Sequence, residues 1–195
     1  MTQQILHIQS SIFGDKGVSS TIARQLVGRL VEQTGAQVTF RNLGGDDFPH
    51  FTASTIAAIS GGNAIFADQL IREIQESDII VIGIPMYNFG VPSQLKSWFD
   101  HIARAGTTFK YTDKGSVGLL ENKKVYVVTT RGGIHKDQAT DVQTPYVKTM
   151  FAFLGITDVE FIFAEGLNMG GTARTKGIEA AESVLQSLVA QSLVA

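Results

Sequence analysis

The residue order predicts an α/β domain, a parallel sheet covered by helices on both faces. Three observations carry this. Five short runs rich in β-branched residues punctuate the chain, stretches of helical periodicity fill the gaps, and the third and fourth runs are almost continuously apolar. Strands buried on both faces read that way, whereas half-solvated strands alternate. Alternating strand and helix gives each crossover the length that parallel neighbours need.

The first run is Ile5-Leu6-His7-Ile8. After it, Ile22, Leu26 and Leu30, with Ala23, Val27 and Val31, form one apolar stripe, while Arg24, Gln25, Arg29 and Glu32 face away. Ser19 or Ser20 is expected to cap this helix and Gly35 to end it. Val38-Thr39-Phe40 is the second run, and a helix is expected around Ala64 to Glu76. The third run, Ile79-Ile80-Val81-Ile82-Gly83-Ile84, leads to Pro92, which suits a first helical position. Leu95, Trp98, Phe99 and Ile102 then follow the i, i+3, i+4, i+7 pattern. Val125-Tyr126-Val127-Val128-Thr129 is the fourth run, with a helix from Thr144 to Leu154 behind it. The fifth, Val159-Glu160-Phe161-Ile162-Phe163, alternates more and belongs nearer an edge. Ile178, Ala181, Leu185 and Leu188 mark the last helix. Two segments read as insertions: Asn42 to Thr52, and Thr107 to Gly118, the latter a hairpin around Asp113-Lys114-Gly115.

Length fits one domain over residues 1–195, and 44% hydrophobic against 17% charged residues supplies a core that a disordered chain would lack. A net charge of -2 is too balanced for a nucleic-acid or anionic-membrane partner. The absence of cysteine excludes a disulfide scaffold, thiol catalysis and cysteine zinc sites. Met1-Thr2-Gln3-Gln4 lacks a basic leader, and no apolar run approaches the ~18 residues of a membrane span. A cytoplasmic protein is the expectation. His7, His50, His101 and His135 share no ligand spacing, so no metal is expected. No G-x-S-x-G elbow occurs, and Asp46-Asp47 reads as a turn rather than a catalytic pair.

In an open parallel sheet, ligands sit at the carboxyl ends of the strands, which singles out three loops. In Ser10 to Ser20, free N–H groups and the positive end of a helix dipole converge with the hydroxyls of Ser10, Ser19 and Ser20 and with Gly17. This is a phosphate cradle or an ordinary serine cap; it is neither a Walker A loop nor G-x-G-x-x-G. Pro85-Met86-Tyr87-Asn88-Phe89-Gly90-Val91-Pro92 suits a flat heterocycle, although Tyr87 and Phe89 are equally consistent with core packing. In Thr130-Arg131-Gly132-Gly133-Ile134-His135, paired glycines expose N–H donors for ring carbonyls and nitrogens, or make a turn needing positive φ.

At these loops a resemblance becomes specific. Met86-Tyr87-Asn88-Phe89, Pro92-Ser93-Gln94-Leu95-Lys96, Phe99-Asp100, Arg104-Ala105-Gly106-Thr107-Thr108-Phe109-Lys110-Tyr111-Thr112, Thr130 to His135 and Phe153-Leu154-Gly155-Ile156-Thr157 closely resemble the FMN-dependent NAD(P)H azoreductase/quinone reductase family. The resemblance implies a flavodoxin-like fold with strand order 2-1-3-4-5 and a homodimer with one FMN per subunit. By position, it places Ser10, Gly17, Val18 and Ser19 at the FMN phosphate. Met86, Tyr87, Asn88 and Phe89 would lie along the ribityl chain and one side of the ring, and Thr130, Arg131, Gly132 and Gly133 at its polar edge. The chain departs from the family in Lys16-Gly17-Val18-Ser19-Ser20, where relatives carry an S-x-S element.

The implied activity is two-electron, ping-pong hydride transfer from NADH or NADPH through the flavin to azo compounds or quinones. The flavin carries the chemistry, so no side chain is obligatory. His135 is expected to tune the flavin, and Tyr111 and Phe153 to close the substrate slot. The competing reading is a flavodoxin-type electron carrier, which displays a strong acidic face that a net charge of -2 does not supply.

Overall fold

The computed structural model describes residues 2–45 and 47–191; Asp46, half of the Asp46-Asp47 pair, lies outside the described residues. In chain order the elements are β1 (Gln4–Gln9), α1 (Val18–Thr34), β2 (Gln37–Asn42), α2 (Ala53–Ser60), α3 (Ile65–Glu76), β3 (Ile79–Pro85), α4 (Ser93–Ile102), β4 (Phe109–Thr112), β5 (Gly115–Gly118), β6 (Lys124–Thr130), α5 (Gln143–Leu154), β7 (Asp158–Ala164) and α6 (Gly171–Gln191). Five strands form a parallel sheet in the order β2-β1-β3-β6-β7, which is the expected 2-1-3-4-5 order of the main strands. β4 and β5 form the separate antiparallel hairpin expected between Thr107 and Gly118.

The continuous apolar runs follow from two cores, one on each face. Successive residues of a strand point to opposite sides. Ile80, Ile82, Ile84, Val125 and Val127 pack with α3, α4 and α5, while Ile79, Val81, Tyr126 and Val128 pack with α1 and α6. β7 lies at an edge, as its alternation indicated, and β2 at the other. Register sets the site: Gln9 pairs with Gly83, Pro85 with Thr130, and Thr130 with Ala164, so the loops leaving β1, β3, β6 and β7 emerge side by side.

Three local expectations are corrected. Neither Ser19 nor Ser20 caps α1; Gly17 occupies that position without a side-chain bond, and both serines are buried in the first turn. Gly35 does end the helix in the left-handed region (φ 65°). Pro92 precedes α4 rather than opening it. The insertion after Asn42 leads into α2, a helix the periodicity missed, held by a reciprocal Thr52–Thr55 capping box. Among the described residues no helix is long and apolar enough to cross a membrane.

Candidate active site

From β1 the chain passes through a 3₁₀ turn at Gly14–Lys16 into α1. The N–H groups of Val18, Ser19 and Ser20 find no carbonyl in the described residues, as the first turn of a helix dictates. The hydroxyls of Ser19 and Ser20 are buried and equally without a partner. Gly17 makes the approach possible, because a Cβ there would come within 2.8 Å of Ser11 Cβ and 3.2 Å of Ser20 Oγ. Ser10 stands apart from this cradle. Its N–H and hydroxyl both donate to Gly83 O, at 3.3 and 2.7 Å, so its proton is committed to β3. Ser11, one residue on, is the serine of this strand end that lines the cleft.

The second loop folds back on itself as a two-residue turn. Tyr87 and Gly90 exchange backbone hydrogen bonds at 3.1 and 3.0 Å, with Asn88 and Phe89 between them at φ 48° and 68°. Positive φ in a bulky residue such as Phe89 costs about 1–2 kcal/mol, so other contacts must hold the turn. Gln143 supplies them: its amide donates to Pro85 O (3.2 Å) and Gly90 O (3.1 Å) and accepts from Thr129 Oγ1 (2.7 Å). Ile12 N donates to the Tyr87 hydroxyl at 3.3 Å, tying this loop to the first. Met86 and Tyr87 line the cleft; Asn88 and Phe89 are exposed on the turn.

In the third loop the Arg131 side chain is committed inside the protein. Its guanidinium is fully buried and donates to Asp141 (2.9 Å), Thr144 (2.7 Å) and Glu165 (3.2 Å), over the ring of Phe163. Burial opposes ionisation of Asp141, but Arg131 and Thr144 outweigh it and hold its carboxyl below the usual carboxylate range. Glu165 also accepts the N–H groups of His135 and Lys136, pinning the loop. Gly132 and Gly133 are not left-handed. A Cβ at Gly132 would come 2.7 Å from Asn168 Nδ2 and push that side chain aside. The N–H groups of both glycines find no acceptor among the described residues.

Together the loops enclose a cleft of about 230 Å³. Of the residues the resemblance places at FMN, Gly17, Val18, Ser19, Met86, Tyr87, Thr130, Arg131 and Gly132 line it; Ser10, Asn88, Phe89 and Gly133 do not. Lys16 and Arg174 contribute positive charge, and no carboxylate lines the wall. Arg174 and Asn168, beyond β7, were missed because the last strand's loop was not read with the other three. His135 sits behind the turn, Nδ1 2.9 Å from Thr140 Oγ1 and its ring edge-on to Phe89 at 5.6 Å. Tyr111 stands exposed on the hairpin, edge-on to Phe109, while Phe153 packs against Phe109 at 4.4 Å. Neither lines this cleft.

Residues 3–189 match the family model described as a flavodoxin-like fold. The chain is 53% identical to an FMN-dependent NADH:quinone oxidoreductase of Saccharophagus degradans, over 96% of this chain and 93% of the other. It is 48% identical to a protein of the same description from Alcanivorax borkumensis, over 93% and 97% of the two chains. Among solved structures, an FMN-dependent NADH-azoreductase from Bacillus anthracis in complex with FMN superposes with a TM-score of 0.84, at 25% identity, covering 96% of this chain and 100% of the other. On these matches, the chain belongs to the flavodoxin-like family of FMN-dependent NADH:quinone oxidoreductases and azoreductases.

Proposed function

We propose that the chain is an FMN-dependent oxidoreductase that carries two electrons from NADH to quinones, and that the cleft is its FMN site. The observation that carries this reading is the pair of buried, unpartnered hydroxyls of Ser19 and Ser20 behind Gly17. They stand in the first turn of α1, and Ser19 lines a cleft with two cations and no carboxylate. Such an arrangement fits a phosphate.

Bound there, FMN would supply hydride acceptance and two-electron return, chemistry that no side chain provides. The residues around it bind and orient. Val18, Ser19 and Ser20 offer N–H and O–H donors to the phosphate, with Lys16 and Arg174 neutralising its charge. Met86 and Tyr87 form an apolar wall, held from behind by the Asn88–Phe89 turn, Gln143 and the Tyr87 hydroxyl. The free N–H groups of Gly132 and Gly133 offer hydrogen bonds to a ring edge that becomes electron-rich on reduction. Arg131, Asp141 and Glu165 position that loop and exchange no proton with substrate. His135 reaches the wall only through the edge of Phe89, so its tuning role is indirect.

Azo compounds form a second acceptor class, supported by the azoreductase that shares the fold. A homodimer is the assembly we propose. Ile12, Phe13, Phe89 and Ile134, on the loops that build the cleft, are all exposed, as is Tyr111 at 75%. A second copy would cover these side chains and bring Tyr111 to the neighbouring cleft; Phe153 then acts as the hairpin's support. Light scattering should give twice the chain mass, and Tyr111→Ala should raise KM for quinones while leaving FMN affinity unchanged.

The first test is a visible spectrum of the purified protein, followed by NADH and then a quinone. Flavin bands that bleach and return establish the reading. Bands that bleach with a chemical reductant but with no nicotinamide donor would favour an electron carrier. No bands after FMN is supplied would remove FMN from the account.

A further inference from the structure

A second cavity, of about 320 Å³, opens between α2, α3 and α4 and shares no lining residue with the cleft. Its inner wall carries His101, which is only 2% exposed. The ring nitrogen Nδ1 lies 2.8 Å from Ser97 O. A carbonyl only accepts, so Nδ1 bears the hydrogen, and in the neutral ring Nε2 presents a lone pair. No group among the described residues meets Nε2. Phe48, Phe51 and Phe66 stand nearly perpendicular to the imidazole, at 6.1, 5.3 and 5.4 Å between centroids, and fix its plane.

The remaining wall is largely apolar, with Ala58, Ala64 and Ala67 beside Phe66. Ser54 and Thr55 also line it, but their hydroxyls are engaged with Thr52 in the α2 cap, at 2.7 and 3.2 Å. His101 Nε2 is the buried acceptor of this wall, and Asn63 lines it from an exposed position. A flat ring bearing a single hydroxyl satisfies both the acceptor and the aromatic wall.

We propose that this cavity is a binding site for a small phenol, whose hydroxyl donates to His101 Nε2 while its ring packs against Phe66 and the three alanines. The site is independent of the flavin reading, because nothing in it touches the cleft.

The test is titration of phenol into the full-length protein, followed by the ¹⁵N resonances of the histidine rings, with anisole as the same shape lacking the donor. Phenol should shift His101 Nε2 saturably, and anisole should bind at least tenfold more weakly. Ala58→Phe, at a half-buried position of α2, fills the cavity and should weaken phenol at least tenfold with NADH–quinone turnover unchanged. His101→Leu should erase the difference between phenol and anisole. An unmoved His101 Nε2 at saturating phenol would overturn the proposal, as would equal binding of anisole or wild-type affinity in Ala58→Phe. Preference for benzoate, which an imidazolium would dictate, would also overturn it.

Discussion

Two loops at the same edge of the sheet treat their polar groups in opposite ways. Between β1 and α1, the hydroxyls of Ser19 and Ser20 and three backbone N–H groups are left without partners. Between β6 and α5, the two large buried polar side chains are committed: Arg131, through its two terminal nitrogens, to Asp141, Thr144 and Glu165, and Gln143 to Thr129, Pro85 and Gly90. Buried polar groups without partners are costly, so a fold keeps them only where something else satisfies them. On the proposed reading, the first loop is the one that receives the ligand. The second is built to hold backbone, and of its two glycines Gly132 lines the cleft.

The largest effect is expected from removing the centre of the second network. Arg131→Met leaves the mostly buried carboxylates of Asp141 and Glu165 without their cation, a loss of about 3–5 kcal/mol in stability measured by urea unfolding. The acid limb should change with it. The Asp141 carboxyl is held below its ordinary value of 3.8 in the fold, so its contribution is complete above that value and is lost as pH falls through the lower folded one. In Arg131→Met only the Thr144 hydrogen bonds remain to lower it, and stability should fall less steeply below pH ~4. A variant as stable as the parent would mean that the network is not the scaffold described.

Gly17→Val is the counterpart in the first loop. The added side chain fills the space against Ser11 and Ser20 in which a phosphate would be cradled. FMN affinity, followed by quenching of flavin fluorescence, should drop about a hundredfold, or about 3 kcal/mol.

What could be read beforehand divides along the same line. The strands were legible because alternate residues feed two cores, and the helices α1 and α4 because one stripe faces one of those cores. α2 was not, since its eight residues bury no side chain and its cap uses Thr55 where a capping box is usually sought through glutamate or glutamine. The loops were legible by their place at the strand ends, but the duties of their side chains were not. Arg131 reads as a cation for a ligand until Asp141 and Glu165, 10 and 34 residues away, are seen to hold it. Ser10 and Ser11 are indistinguishable by type. The period of two at the end of β1 decides between them, sending one hydroxyl to Gly83 and the other to the cleft.

Gln143→Leu tests whether the second network also serves the site at a distance. The variant keeps the volume and removes the donors to Pro85 O and Gly90 O, leaving the buried Pro85 carbonyl and the Thr129 hydroxyl unpaired and Gly90 O with only the Tyr87 N–H. A loss of about 2 kcal/mol in stability is expected. FMN affinity should weaken several-fold as the strained Asn88–Phe89 turn loosens. If stability falls and FMN affinity and the flavin's absorption bands do not move, the turn does not hold the wall.

The smallest effect separates the two loops most cleanly because its two readouts have opposite signs. Ser19→Ala removes a buried hydroxyl that has no partner in the protein itself. Without ligand, the variant should be as stable as the parent or more stable by up to about 1 kcal/mol, since a desolvated donor has been deleted. With FMN, it should bind up to about tenfold more weakly, since a hydrogen bond to the phosphate has been lost. Removing a polar group from the second loop cannot give that pair of signs, because there each deletion strands a partner. Thr144→Val, which takes a hydroxyl from both Arg131 and Asp141, should destabilise the protein with and without FMN alike. Should Ser19→Ala behave as Thr144→Val does, the hydroxyl is structural, and phosphate recognition rests on the α1 backbone, the Ser20 hydroxyl and the two cations.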